Sequence, residues 1–75
     1  MAELPDPLVS SRPEYLGGIP CFHGTRVPVK NLFDYLLKGY PLEEFLKQFP
    51  SVSREHAVAV LAEASQRAVA SAKAA

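Results

Sequence analysis

From Val29 onward the apolar side chains recur at helical spacing. Val29, Leu32, Phe33, Leu36 and Leu37 fall at i, i+3, i+4, i+7 and i+8, which predicts a first helix with one apolar stripe. Pro28 stands near its start, and Gly39 stands where a left-handed C-terminal cap belongs. A second helix is predicted over Leu42 to Phe49. Pro41 suits its first position, Glu43 and Glu44 suit its first turn, and Pro50 stops it. Its stripe is Leu42, Phe45, Leu46 and Phe49. Ser53 then reads as the N-cap of a third helix, with Glu55 in the first turn and Val52 and Ala57 at hydrophobic-staple positions.

The third helix is predicted to run from Ser53 towards Ala74, and it carries two apolar stripes. Val58, Leu61, Ala62, Ser65 and Val69 form the expected core face. Ala57, Val60, Ala64 and Ala68 form a surplus face, which reads as a candidate protein interface. Long polar side chains come only from Arg54, Glu55, Glu63, Gln66, Arg67 and Lys73. The alanine-rich tail 70–75 stays open between helix and frayed end. With Leu32, Phe33, Leu36, Phe45, Leu46, Val58 and Leu61 as the core, the helical unit is expected over residues 30–75.

Residues 1–29 behave differently. Pro5, Pro7, Pro13 and Pro20, with Gly17 and Gly18, exclude a long helix and predict an extended, turn-rich arm. Leu8, Val9 and Ser10 suit one short strand. Two further runs, Ile19-Pro20-Cys21-Phe22 and Arg26-Val27-Pro28-Val29, are joined by His23-Gly24-Thr25, the pattern of a hairpin. Neither proline donates to a ladder, so these strands are edges or very short. The predicted fold is a single mainly α, α+β domain: a β arm and hairpin, then three helices arranged like a helix-turn-helix.

Composition narrows the function. Eight Lys+Arg balance eight Asp+Glu, which argues against a strongly electrostatic nucleic-acid binder. A single cysteine forms no internal disulfide and fits a reducing compartment. No apolar run is long enough to span a membrane and the N-terminus lacks secretory character, so a cytoplasmic protein is expected. A core this small commonly gains burial by association, so a homodimer is expected.

The segment GIPCFHGTRVPV crowds Cys21, His23, Thr25 and Arg26 together. A zinc site needs three or four ligands, and the other histidine, His56, is distant in sequence. A catalytic pair needs an orienting group and an oxyanion donor, and neither is in view. No enzymatic activity, metal or cofactor is therefore expected. Gly24 permits positive φ, Thr25 bonds neighbouring backbone, and Arg26 offers a planar donor fork. The three read as a structural turn and clamp, with Asp34 and Glu44 as the expected acids for Arg26; a phosphate or partner contact is the functional alternative. If the third helix read DNA, its first exposed residues would be Arg54, Glu55 and His56, with Arg54 and Lys47 as candidate contacts.

The order Gly18-x-Pro20, then Gly24-Thr25-Arg26-Val27-Pro28-Val29, then Gly39-Tyr40 with Glu43-Glu44, then Phe49-Pro50 resembles a bacterial and archaeal family, domain-of-unknown-function family 433. Its members are regarded as VapB-like antitoxins. The resemblance covers roughly residues 8–64. It implies a small β element followed by a homeodomain-like three-helix unit. It also implies a PIN-like nuclease toxin as partner, encoded by an adjacent gene, with operator DNA as a further target of the pair. Pro41 and Cys21 depart from the serine and the small aliphatic residue common in that family at these positions. The alternative reading is a stand-alone helix-turn-helix transcriptional regulator.

Overall fold

The computed structural model describes residues 4–14 and 17–74. Ala75, Met1 to Glu3, Tyr15 and Leu16, and the side chains from 72 onward lie outside the described residues. Strand β1 (Val9–Ser10) pairs antiparallel with β2 (Cys21–Phe22), and helices α1 (Val29–Leu37), α2 (Leu42–Gln48) and α3 (Arg54–Ala74) follow. The register sets Val9 opposite Phe22 and Ser10 opposite Cys21. This is the mainly helical α+β architecture that the alternation of patterns predicts.

The hairpin is shorter than its sequence pattern. Only Cys21 and Phe22 form a strand, and the second run makes one isolated bridge, Cys21 to Pro28, before α1 begins. Two backbone bonds nevertheless close it: the Phe22 amide donates to the Val27 carbonyl and the Val29 amide to the Pro20 carbonyl, each at 3.0 Å. Helix and strand compete for Val29, and the helix takes it because Pro28 already holds the extended φ and ψ of an N-cap.

α1 ends in a Schellman motif. Gly39, at φ 90°, donates to the Leu36 carbonyl, and Tyr40 donates to the Tyr35 carbonyl, both at 3.0 Å. The accompanying side-chain contact is aromatic, Tyr35 against Tyr40 with centroids 5.5 Å apart. α2 starts at once behind Pro41, which is its N-cap rather than its first helical residue. At α3, the Ser53 hydroxyl accepts from the His56 amide at 3.0 Å, which is the N-cap bond the sequence predicts. Both staple residues, Val52 and Ala57, are buried.

The core lies between β2, the two short helices and the first turns of α3. Phe22, Leu32 and Phe45 are fully buried, joined by Val52, Ala57 and Val60. Phe22 and Phe45 meet with centroids 5.9 Å apart, and Phe45 meets Phe49 at 5.0 Å. Phe33, Leu36, Leu46 and Leu61 pack partly buried around them.

α3 is rolled relative to the sequence reading, so its two stripes are exchanged in part, although Leu61 still packs against the core as read. Ala57 and Val60, read as a surplus face for a partner, are core. Ala64 is half-buried beside Val60, and of the four candidate interface residues only Ala68 is exposed. Val58, read as core, is 46% exposed, and Val69 is 52% exposed. The cause is His56. Its ring turns inward, so the adjoining Ala57 and the next turn's Val60 follow it, and Val58 is carried outward. His56 is likewise not among the exposed residues of the helix start.

Phe22→Ala is expected to cost about 3–5 kcal/mol of unfolding free energy, and Val58→Ala no more than about 0.5 kcal/mol. Urea denaturation followed by circular dichroism measures both. Similar losses at the two positions would contradict this roll of α3.

Candidate functional site

The GTR segment turns between Phe22 and Val27. Gly24 holds φ at 81°, a region costly for residues with a Cβ, although no atom would obstruct one. The Phe22 carbonyl accepts from the Thr25 amide at 2.9 Å and from the Thr25 hydroxyl at 2.8 Å. The same hydroxyl oxygen accepts from the Val27 amide at 3.1 Å. Thr25 thus donates and accepts within one turn, which needs a short hydroxyl side chain.

The turn is fastened to the rest of the chain at the carbonyl of Leu8. That oxygen accepts from the His23 amide at 2.9 Å and from His56 Nε2 at 2.8 Å. A carbonyl only accepts, so His56 Nε2 is the donor in this contact. The ring also meets Phe22 edge-on, with centroids 5.1 Å apart at 89°. The His23 Nδ1 is enclosed, with no hydrogen-bond partner among the described residues. Cys21 is buried, its thiol 3.5 Å from the Ile19 carbonyl. No group of three or more His, Cys, Asp and Glu side chains suited to a metal occurs among the described residues.

Beside this turn lies a cleft of about 180 Å³, lined by Ser10, Arg12, Cys21, Gly24, Thr25 and Arg26. Arg26 and Arg12 therefore border the same cleft. Of the two acids expected for Arg26, Asp34 accepts from Lys30 Nζ at 2.8 Å, and both Asp34 and Glu44 border a separate cleft with Tyr35 and Phe49. Arg12 escapes sequence reading because its place depends on the pairing of Ser10 with Cys21, across ten intervening residues that carry no periodic signal.

The candidate DNA contacts are separated in character. Arg54, in the first turn of α3, forms an ion pair with Glu43 in the first turn of α2. Lys47 is exposed in the last turn of α2. A half-exposed pair such as Arg54–Glu43 adds little stability, but Glu43 offsets the positive charge of Arg54 at this helix start, where Glu55 follows.

The family described as "Protein of unknown function (DUF433)" matches residues 9–64, and the chain belongs to that family. A relative in Sinorhizobium fredii (strain NBRC 101917 / NGR234), "Uncharacterized protein y4eO", is 40% identical over 48 residues, covering 64% of this chain and 22% of that protein. The chain thus corresponds to less than a quarter of the relative's length. No solved structure matches it.

Thr25→Val keeps the side-chain shape and removes the hydroxyl, so it is expected to cost about 1–2 kcal/mol in thermal or chemical denaturation. His56→Leu is expected to cost about 1–3 kcal/mol and to loosen the segment around Leu8. Amide hydrogen exchange at His23 reads the second effect directly; unchanged protection there would show that the Leu8 carbonyl does not fasten the turn.

Proposed function

We propose that this chain is an interaction protein of antitoxin type, which binds a PIN-like nuclease encoded beside it and silences that enzyme by covering its active site. The observation that carries the reading is α3. Its buried residues end with Val60, only Leu61 and Ala64 beyond it are half-buried, and every described side chain from Ser65 to Ser71 is exposed. On the side opposite Ala57 and Val60, Val58, Ala62, Ser65 and Val69 follow one another at spacings of four, three and four residues, a narrow seam of apolar and small side chains. A helix that outruns its own core with such a seam suits a partner helix or groove.

Occlusion needs surface and no chemistry, which agrees with a site built of turn, packing and guanidinium groups. No helix among the described residues is long and apolar enough to cross a membrane. A homodimer through Ala57 and Val60 is not part of this proposal, because those two side chains are committed to the core. The stand-alone regulator, and operator binding by the pair, have less support. α2 and α3 follow each other as in a helix-turn-helix, but Arg54 is engaged by Glu43 at the position that would meet a groove.

The test is co-expression with the neighbouring nuclease. The two proteins are expected to co-purify with nuclease activity suppressed, and the double variant Val58→Asp, Val69→Asp to lose both effects while keeping its helical circular dichroism. A nuclease left fully active by excess wild-type chain would sink the proposal.

A further inference from the structure

We infer that the cleft between α1 and α2 is a docking site for an arginine side chain carried by a partner polypeptide. The inference goes beyond the antitoxin reading and does not rest on it, since that reading uses α3 and this cleft is built by the other two helices. It rests on what lines the cleft: three aromatic rings, Tyr35, Tyr40 and Phe49, and two carboxylates, Asp34 and Glu44.

The local chain brings these groups together. Asp34 and Tyr35 lie in the last turn of α1, and Lys38 is its C-cap. The Schellman bonds fold Tyr40 back against Tyr35, and α2 returns Glu44 and Phe49 to the same side. The rings stand in different planes: Tyr35 meets Tyr40 at 49° and Phe49 at 81°, with centroids 5.5 and 5.9 Å apart. Tyr40 is 50% exposed, which leaves aromatic surface at the mouth of the cleft. The Asp34 carboxylate is answered by Lys30. That of Glu44, on a half-buried residue, makes no ion pair among the described residues.

This lining selects a cation of a particular kind. Aromatic faces attract a cation through their quadrupoles, and a carboxylate beside them adds its charge. A guanidinium meets both at once, because it is planar, weakly hydrated and forks its N–H donors towards a carboxylate. An ammonium is strongly hydrated and offers a point charge only. Lys38 also borders the cleft, and it is exposed, so its flexible stem lets the amine turn out to solvent at the cost of some residual repulsion. The cleft, at about 470 Å³, is larger than a guanidinium head group fills. That size favours a side chain arriving with its own backbone over a free ion.

The experiment is a titration of the full chain with capped tripeptides, followed by amide ¹H–¹⁵N spectra at low, matched ionic strength. A tripeptide with a central arginine is expected to give saturable shifts centred on Tyr35, Lys38, Tyr40 and Glu44. Its lysine counterpart should bind at least about threefold more weakly, and its citrulline counterpart, similar in shape and uncharged, about tenfold or more. Glu44→Gln should weaken the arginine peptide about fivefold. Tyr40→Leu, which keeps an apolar contact for Tyr35, should weaken it about threefold. Lys38→Gln should tighten it about twofold, since it removes a like charge. None of these three side chains belongs to the buried core, so the folded spectrum should persist in all the variants. Methylguanidinium, the head group alone, should bind more weakly than the peptide. Equal binding of the lysine or citrulline peptide, methylguanidinium as tight as the peptide, shifts that fail to saturate, or unchanged affinity in Glu44→Gln and Tyr40→Leu would overturn the inference.

Discussion

The carbonyl oxygen of Leu8 receives hydrogen bonds from the His23 amide and from the His56 ring, and both of its lone pairs are used. Three parts of the chain that are remote in sequence are fixed to each other there: the arm, the hairpin turn and the start of α3. Because His56 is the third residue of α3, committing its ring inward fixes the roll of a 21-residue helix. The inner and outer faces then follow from periodicity alone. The same ring lies edge-on against Phe22, so the contact that orients α3 also seats the largest hairpin side chain in the core.

The hairpin turn does two things at once. Phe22, on its inner side, is fully buried between Phe45 and His56. Arg26, on its outer side, stands at a cleft with Arg12. A turn with this division of labour has to hold its shape without a long ladder, since Pro20 and Pro28 restrict pairing on either side. Thr25 supplies the missing bonds from its side chain, and Gly24 supplies the left-handed backbone. This is a physical reason for the residue types Gly-Thr-Arg to occur together, whatever partner the protein meets.

The helices were readable because their signals are local. The stripe of α1, the glycine at its end, the proline before α2 and the serine before α3 each act within one or two turns of chain. Val9–Ser10 was legible as a strand for the same reason, although its partner was not. The failures share a different cause. Whether Val58 or Val60 faces inward depends on a contact between residues 8 and 56, and alanine-rich sequence leaves both faces equally suited to burial. A histidine at a helix start reads as exposed and polar, and its role here appears only once the arm supplies a carbonyl. The neighbourhood of Arg26 was hidden in the same way, since Arg12 arrives by strand pairing across an aperiodic segment.

α3 beyond Ala64 is held chiefly by its own backbone bonds, because the side chains of Ser65 to Ser71 are exposed. Its persistence as helix is therefore a matter of helix–coil equilibrium, in which alanine contributes by losing no side-chain entropy and each terminal turn frays before the turn behind it. Under the antitoxin proposal, a partner docking on this segment would gain little by straightening it, since the alanines Ala68 and Ala70 lower the ordering cost that a disordered tail would impose on association. The alanines would thereby act on affinity without touching that partner, by setting the fraction of chains whose helix is already formed.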